Sequence, residues 1–209
     1  MRKFLFFIPF VLFITLAAFL FSGLFSDPRQ HGSALVSKTL PAFELPDLMV
    51  PTTLYNAEKL KGKVYLLNVW GLWCPTCNAE LGFLTELRKQ GIDIVGLYYV
   101  QPQDSAFGES FDLAKLQQDV LKKLAEQGDP YRLNILDEKR SLIFDLGVTG
   151  APETFLIDAK GQIRAHHVGD INPQNWPALA RQYQALLDEA AGNKATAGAA
   201  TQAGAAHAN

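Results

Sequence analysis

Cys74 and Cys77 are the only cysteines in the 209-residue chain, and only Pro75 and Thr76 separate them. That spacing suits a dithiol that can close into a disulfide and open again. In front of it, Val64 to Trp70 reads as a buried strand rich in Val and Leu, which breaks at Gly71 and runs through Leu72 and Trp73 into the first cysteine. A helical pattern follows. Cys74 is therefore expected at a helix N-terminus, where unpaired backbone N–H groups and the positive end of the helix dipole converge. That field favours the thiolate, which is the nucleophile in disulfide exchange. Pro75 has no N–H to lose, and its fixed φ suits a first helical turn.

A structural staple and half of a zinc site are the alternatives. A disulfide closing so short a loop restricts the unfolded chain by only about 2 kcal/mol on the loop-entropy model. Structural zinc normally takes four ligands, and no second Cys pair or closely spaced Cys/His pair exists to complete such a set. Exchange chemistry is the reading that spacing and context support.

The rest of the chain must position this dithiol. An apolar fraction of 48% is enough for a real core, and the net charge of −2 with no basic stripe argues against a nucleic-acid partner. Residues Phe4 to Phe25 carry no charge and are flanked by Arg2, Lys3, Asp27 and Arg29. As a helix this run would span roughly 33 Å, enough for the hydrocarbon core of a bilayer. A cleaved signal peptide would have a shorter apolar core and a small-x-small cleavage site. Here Phe and Leu dominate near the end and Ala17-Ala18 is a weak cleavage signal, so residues 1–26 are read as an uncleaved anchor. The N-terminal positive charges place the remainder on the far side of the membrane. No cysteine follows the run that could carry a lipid.

Residues 27–38 read as a polar tether and 39–190 as the folded domain. Leu40 to Pro46 suggests short edge strands, and Ala57 to Gly62 a helical turn. The helix after Cys77 is expected to reach about Lys89, with Leu81, Leu84 and Leu87 on one face. Ile92 to Val100 is a second buried strand, and 101–112 a loop. Leu113, Leu116, Val120, Leu121 and Leu124 mark a helix over 112–127, closed by Gly128. A short strand at 133–136, a short helix at 141–146 and a hairpin over 154–168 follow. The last helix is expected from near Pro173 to about Ala190. The Ala/Gly-rich segment 191–209 has little to bury and is read as disordered. Two βα crossovers followed by a hairpin and a closing helix predict an α/β fold, a mixed central sheet with helices on both faces.

Two segments together narrow the family. Leu67 to Cys77, ending Trp-Cys-Pro-Thr-Cys, and Gly147 to Asp158, containing Gly-Ala-Pro-Glu-Thr-Phe, resemble the DsbE/CcmG family. Its members are membrane-anchored, thioredoxin-fold thiol:disulfide reductases of bacterial cytochrome c maturation. The resemblance covers roughly Leu40 to Leu187 and, in kind, the anchor. The chain departs from it in a longer 101–112 region and in the C-terminal tail.

The resemblance implies that the Cys74–Cys77 dithiol is itself the redox group, with no further cofactor. It implies a bacterial inner-membrane protein whose redox domain is periplasmic, which keeps apocytochrome c, or a partner dithiol that handles it, reduced for haem attachment. A membrane thiol electron donor would regenerate it. It places Pro152 after a cis peptide opposite the dithiol, with Gly150 and Ala151 extended beside Cys74 to pair with a substrate strand. Trp73, Pro75 and Thr76 would complete the contact surface. Glu80 and Glu153 match acidic positions that would raise a thiol pKa or relay protons. Asn68 stands where many thioredoxins carry a buried Asp, and it cannot ionise. Trp70 is expected in the core, and His166 and His167 read as ordinary strand residues. Competing functions are a general periplasmic thiol reductase, a Cu(I)-binding assembly chaperone using the cysteines and a histidine, and a thiol peroxidase.

Overall fold

A computed structural model describes residues 7–24, 36–101 and 111–206. Residues 27–35 of the 27–38 tether, most of the 101–112 loop and both flanks of the apolar run fall outside these residues. The chain divides into two units, 1–32 and 33–209.

The first unit holds one helix, α1 (Phe7–Leu24), of 18 residues, a rise of about 27 Å. Among the described residues no helix is long and apolar enough to cross a membrane. Its described side chains from Leu12 to Phe19 are all exposed.

The second unit opens with the hairpin β1 (Glu44–Pro46) and β2 (Leu54–Asn56), then the single turn α2 (Ala57–Leu60). The main sheet is built from β3 (Tyr65–Trp70), β4 (Ile94–Tyr99), β5 (Leu133–Asp137), β6 (Glu153–Ile157) and β7 (Ile163–Val168). Their order is β5-β4-β3-β6-β7. β3, β4 and β5 run parallel, joined through α3 (Pro75–Lys89) and α4 (Leu113–Gln127), whereas β6 and β7 are antiparallel. The mixed sheet is the one the crossovers and the hairpin predict.

Strand alternation sends side chains to two cores. Leu66, Trp70, Ile94, Tyr98 and Leu156 pack with α3, α4 and α6 (Trp176–Ala206), contributing Leu81, Leu84, Val120 and Tyr183 among others. Tyr65, Leu67, Val69, Leu97 and Phe155 face the other way, onto α2 and α5 (Ser141–Asp145). β3 is buried along its whole length because both faces are covered. Burying it supplies much of the apolar area that holds the sheet together.

Two boundaries differ from expectation. α6 starts at Trp176 rather than near Pro173, because Asn172 and Asn175 hold the preceding residues in a turn through their side-chain oxygens. The helix then continues to Ala206, through residues 191–206 of the segment read as disordered from its composition. Alanine has the strongest intrinsic helix propensity, and it can extend a helix that has nothing left to bury.

Candidate active site

Cys74 caps α3 and Pro75 is in its first turn, as the sequence indicates. The two cysteines form a disulfide with Cα atoms 5.2 Å apart. The Cys77 backbone N–H donates to Cys74 Sγ at 3.0 Å, so the helix terminus delivers a donor to the sulfur expected to attack. Both cysteines are buried, with Cys74 3% exposed and Cys77 0%. Pro75 and Thr76 lie exposed beside them. Gly71 is required here, because a Cβ on it would fall 2.3 Å from the Trp73 ring.

Facing Cys74 is the segment before Pro152. The Ala151–Pro152 peptide is cis, as the resemblance implies. The Ala151 carbonyl oxygen lies 3.3 Å from Cys74 Sγ. In the disulfide that sulfur carries no hydrogen, so this is a contact. After reduction the thiol can donate to the carbonyl, whereas a thiolate meets its lone pair. The Cys77 N–H and the Ala151 carbonyl thus act in opposite senses on the Cys74 proton.

Trp73 is half-buried, donates from Nε1 to the Tyr99 carbonyl at 3.0 Å and packs edge-on against the Tyr99 ring. Trp70 is core, as expected. It stacks on Tyr131, meets Tyr98 edge-on and donates to Asn134 Oδ1. That last bond explains Gly96, where a Cβ would collide with Asn134 at 1.9 Å.

The two acidic candidates occupy opposite faces of the sheet. Glu80 lies on the α3 side, one turn past Cys77 and 3% exposed. Its Oε1 accepts from Asn68 Nδ2 at 3.0 Å and its Oε2 from the Ile171 N–H at 2.8 Å. Burial pushes its carboxyl up to about 7, against these two hydrogen bonds. Asn68 is fully buried, donates also to Thr154 Oγ1 and accepts from the Tyr131 hydroxyl at 2.8 Å. The residue that cannot ionise is therefore the one that orients the residue that can.

Glu153 follows Pro152 on the α5 side and is 1% exposed. Its Oε1 accepts from the Thr149 N–H, the Thr149 hydroxyl and the Gly150 N–H at 2.7–3.0 Å. Its Oε2 is 2.7 Å from His166 Nε2. Burial raises this carboxyl too, but the hydrogen bonds from His166 and Thr149 outweigh it and hold the group below the usual carboxylate range. Its hydrogen bonds go to the loop that precedes Pro152 and to His166, not to the cysteines.

Tyr131, Asn134 and Tyr99 are missing from the sequence reading, and His166, read there as an ordinary strand residue, is the partner of Glu153. A polar Asn within the apolar strand Leu133–Asp137 is a signal that could have flagged Asn134; the others carry none. Among the described residues, no group of three or more His, Cys, Asp and Glu is placed to hold a metal ion.

Residues 35–185 match the Redoxin family. The chain is 44% identical over 196 residues to the thiol:disulfide interchange protein DsbE of Vibrio cholerae, covering 91% of this chain and 99% of that one. It is 41% identical over 182 residues to DsbE of Escherichia coli K12, covering 84% and 91%. A crystal structure from Chlorobium tepidum, assigned as a DsbE, superposes with a TM-score of 0.56 at 25% identity, over 73% of this chain and 97% of that one. A disulfide isomerase from Thermus thermophilus shares the fold, with a TM-score of 0.53 at 20% identity over 71% and 96%. With a disulfide at the start of α3, a cis proline opposite it and relatives of this identity along most of its length, the chain belongs to the DsbE/CcmG family of thioredoxin-like proteins and is a thiol:disulfide oxidoreductase.

Proposed function

We propose that the protein is a membrane-anchored reductase of the bacterial periplasm that keeps apocytochrome c, or a partner dithiol handling it, reduced for haem attachment. The observation that carries this reading is the Gly147–Asp158 segment, whose Ala151 carbonyl lies against Cys74 and whose sequence resembles the cytochrome-maturation family. The uncharged run Phe4 to Phe25, of which α1 is the described part, is the anchor in this reading.

The chemistry runs from the reduced form. The Cys74 thiolate attacks one sulfur of a client disulfide, that S–S bond breaks, and a mixed disulfide forms while the leaving client sulfur takes a proton. The Cys77 thiolate then attacks Cys74 Sγ and releases the second client sulfur, leaving the Cys74–Cys77 disulfide. Two electrons pass to the client, and a membrane thiol donor must return them. Cys77 is buried, so its proton needs a nearby acceptor. Glu80, one turn along α3 with Cβ about 5–6 Å away, is poised near neutrality for that task. Client strands pair along Gly150–Ala151, flanked by Trp73, Pro75 and Thr76.

Trapping tests the reading. Cys77→Ala cannot resolve its mixed disulfide and should accumulate adducts with cytochrome c or its maturation partners. Redox equilibration against glutathione should give a potential well below the roughly −120 mV of a strong oxidant. A potential near that value, with normal cytochrome c in cells lacking the protein, would sink the proposal. Release of the protein by carbonate extraction would remove the anchor from it.

A further inference from the structure

His166 sits in the middle of the edge strand β7, and sequence alone gives it no task. In the structure its ring stacks on Phe155, centroids 4.2 Å apart and planes 13° from parallel, and only 11% of its side chain is exposed. Phe155 thereby fixes the ring plane and points Nε2 at Glu153 Oε2, 2.7 Å away. With Glu153 ionised, Nε2 must carry the hydrogen, since a carboxylate only accepts. The other oxygen of the same carboxylate takes three donors, all from Thr149 and Gly150. The next residue, Ala151, places its carbonyl 3.3 Å from Cys74 Sγ. The contacts therefore run without a break from His166 through Glu153 to Gly150, and from there through one peptide to the reactive sulfur.

The neighbouring histidine does something different. His167 Nε2 lies 3.0 Å from the Asp170 carbonyl, within the turn before α6.

We propose that His166 is a positioning residue for the client-binding edge. Its imidazole holds the Glu153 carboxylate in the orientation that pins the Thr149 and Gly150 amides, and so sets the Gly150–Ala151 backbone against Cys74. Because Glu153 accepts from the loop and His166 donates to Glu153, losing the imidazole frees one carboxylate oxygen and lets the carboxylate turn away from the loop. This assignment rests on the exchange chemistry above, but its first test needs no client.

Amide hydrogen exchange of the full chain in detergent reads the loop directly. His166→Phe keeps a ring on Phe155 and removes the hydrogen bond; His166→Gln keeps a donor. The Phe variant should speed exchange at the Thr149 and Gly150 amides about tenfold, equivalent to about 1.4 kcal/mol. Amides in the middle of β3 should not change, and the Gln variant should recover most of the protection. The second test uses a peptide carrying a disulfide-bonded Cys-x-x-Cys-His segment. There the Phe variant should raise the half-saturating concentration about fivefold while the maximal rate changes less than twofold. Unchanged Thr149 and Gly150 exchange in a folded Phe variant overturns the proposal, as does a Gln variant no better than Phe. If the wild-type protein fails to reduce the peptide, the client assignment falls and the exchange result still decides the role of His166.

Discussion

Glu80 and Glu153 are both buried glutamates beside the same dithiol, yet they are pushed in opposite directions. Glu80 sits on the α3 face with two neutral donors, and burial dominates, raising its carboxyl to about 7. Glu153 sits on the α5 face with three donors from one loop and a histidine, and those bonds overcome its burial. The balance between burial and accepted hydrogen bonds decides which carboxylate can exchange protons near neutrality. One is suited to proton exchange, and the other to holding the loop that faces Cys74.

The largest expected effect comes from removing the holding carboxylate. Glu153→Ala strands the His166, Thr149 and Gly150 donors in a buried site, and with about 1–3 kcal/mol for each buried donor left unpaired the loss should be about 3 kcal/mol or more. Urea unfolding of the oxidised protein at pH 7 measures it; a loss under about 1 kcal/mol would mean the loop does not depend on this residue. Since folding lowers this carboxyl, its contribution is present above the unfolded value of 4.5 and disappears as pH falls through the lower folded value.

Glu80 should show the reverse sign. Folding raises its carboxyl from 4.5 to about 7, so the protonated form is favoured in the native state. The contribution is complete below about pH 4.5 and lost as pH rises through 7. At 1.36 kcal/mol per unit this amounts to about 3 kcal/mol by pH 9. Glu80→Gln, which cannot ionise, should therefore gain on the wild type by about that much between pH 4.5 and 9. A Gln nitrogen facing one of the two donors lowers the variant at every pH and leaves this pH-dependent gain unchanged. Parallel stability–pH curves for the two proteins would show that Glu80 is not displaced as described.

The redox potential separates the two further. An ionised carboxylate near the dithiol disfavours the thiolate. Glu80 accepts two hydrogen bonds, from Asn68 and Ile171, whereas Glu153 accepts three from the Thr149–Gly150 loop and one from His166. At pH 8.5 Glu80→Gln should make the disulfide more oxidising by about 30 mV, a tenfold change in the two-electron equilibrium. Glu153→Gln should shift it less than half as far. Equal shifts would mean that these hydrogen bonds do not screen Glu153 from the dithiol. The sequence assigns the two residues the same influence on the thiols, and only the geometry distinguishes them.

Much of the fold can be read in advance because its signals are local. The apolar run into Gly71, the Pro75 turn and the Leu81, Leu84 and Leu87 spacing each mark an element without help from the rest of the chain. The dithiol and Pro152 are equally legible, since both rest on short contiguous motifs. What escapes is whatever depends on pairing across the sheet. Nothing near His166 in sequence announces Glu153, thirteen residues earlier, and nothing near Tyr131 announces Asn68. Register brings them together: Asn68 lies opposite Thr154, and Phe155 opposite His166. The helix through 191–206 escapes for another reason. Composition with little to bury suggests disorder, while alanine propensity alone favours helix.

The smallest effect probes how Glu80 is held. The Tyr131 hydroxyl donates to Asn68 Oδ1 while its ring stacks on Trp70. Tyr131→Phe keeps the ring and strands one buried acceptor, for a loss of about 1 kcal/mol. The hydroxyl also fixes which end of the Asn68 amide faces Glu80. With it present, Nδ2 points at the carboxylate and at Thr154. Without it the amide is free to turn, presenting Oδ1 to Glu80. An acceptor there repels the carboxylate and welcomes the protonated acid, so the Glu80 carboxyl should rise further. The destabilisation by Tyr131→Phe should therefore be larger at pH 8 than at pH 5, and Glu80→Gln should abolish that difference. A loss equal at both pH values would show that Asn68 keeps its orientation through Thr154 alone, leaving Tyr131 a packing residue.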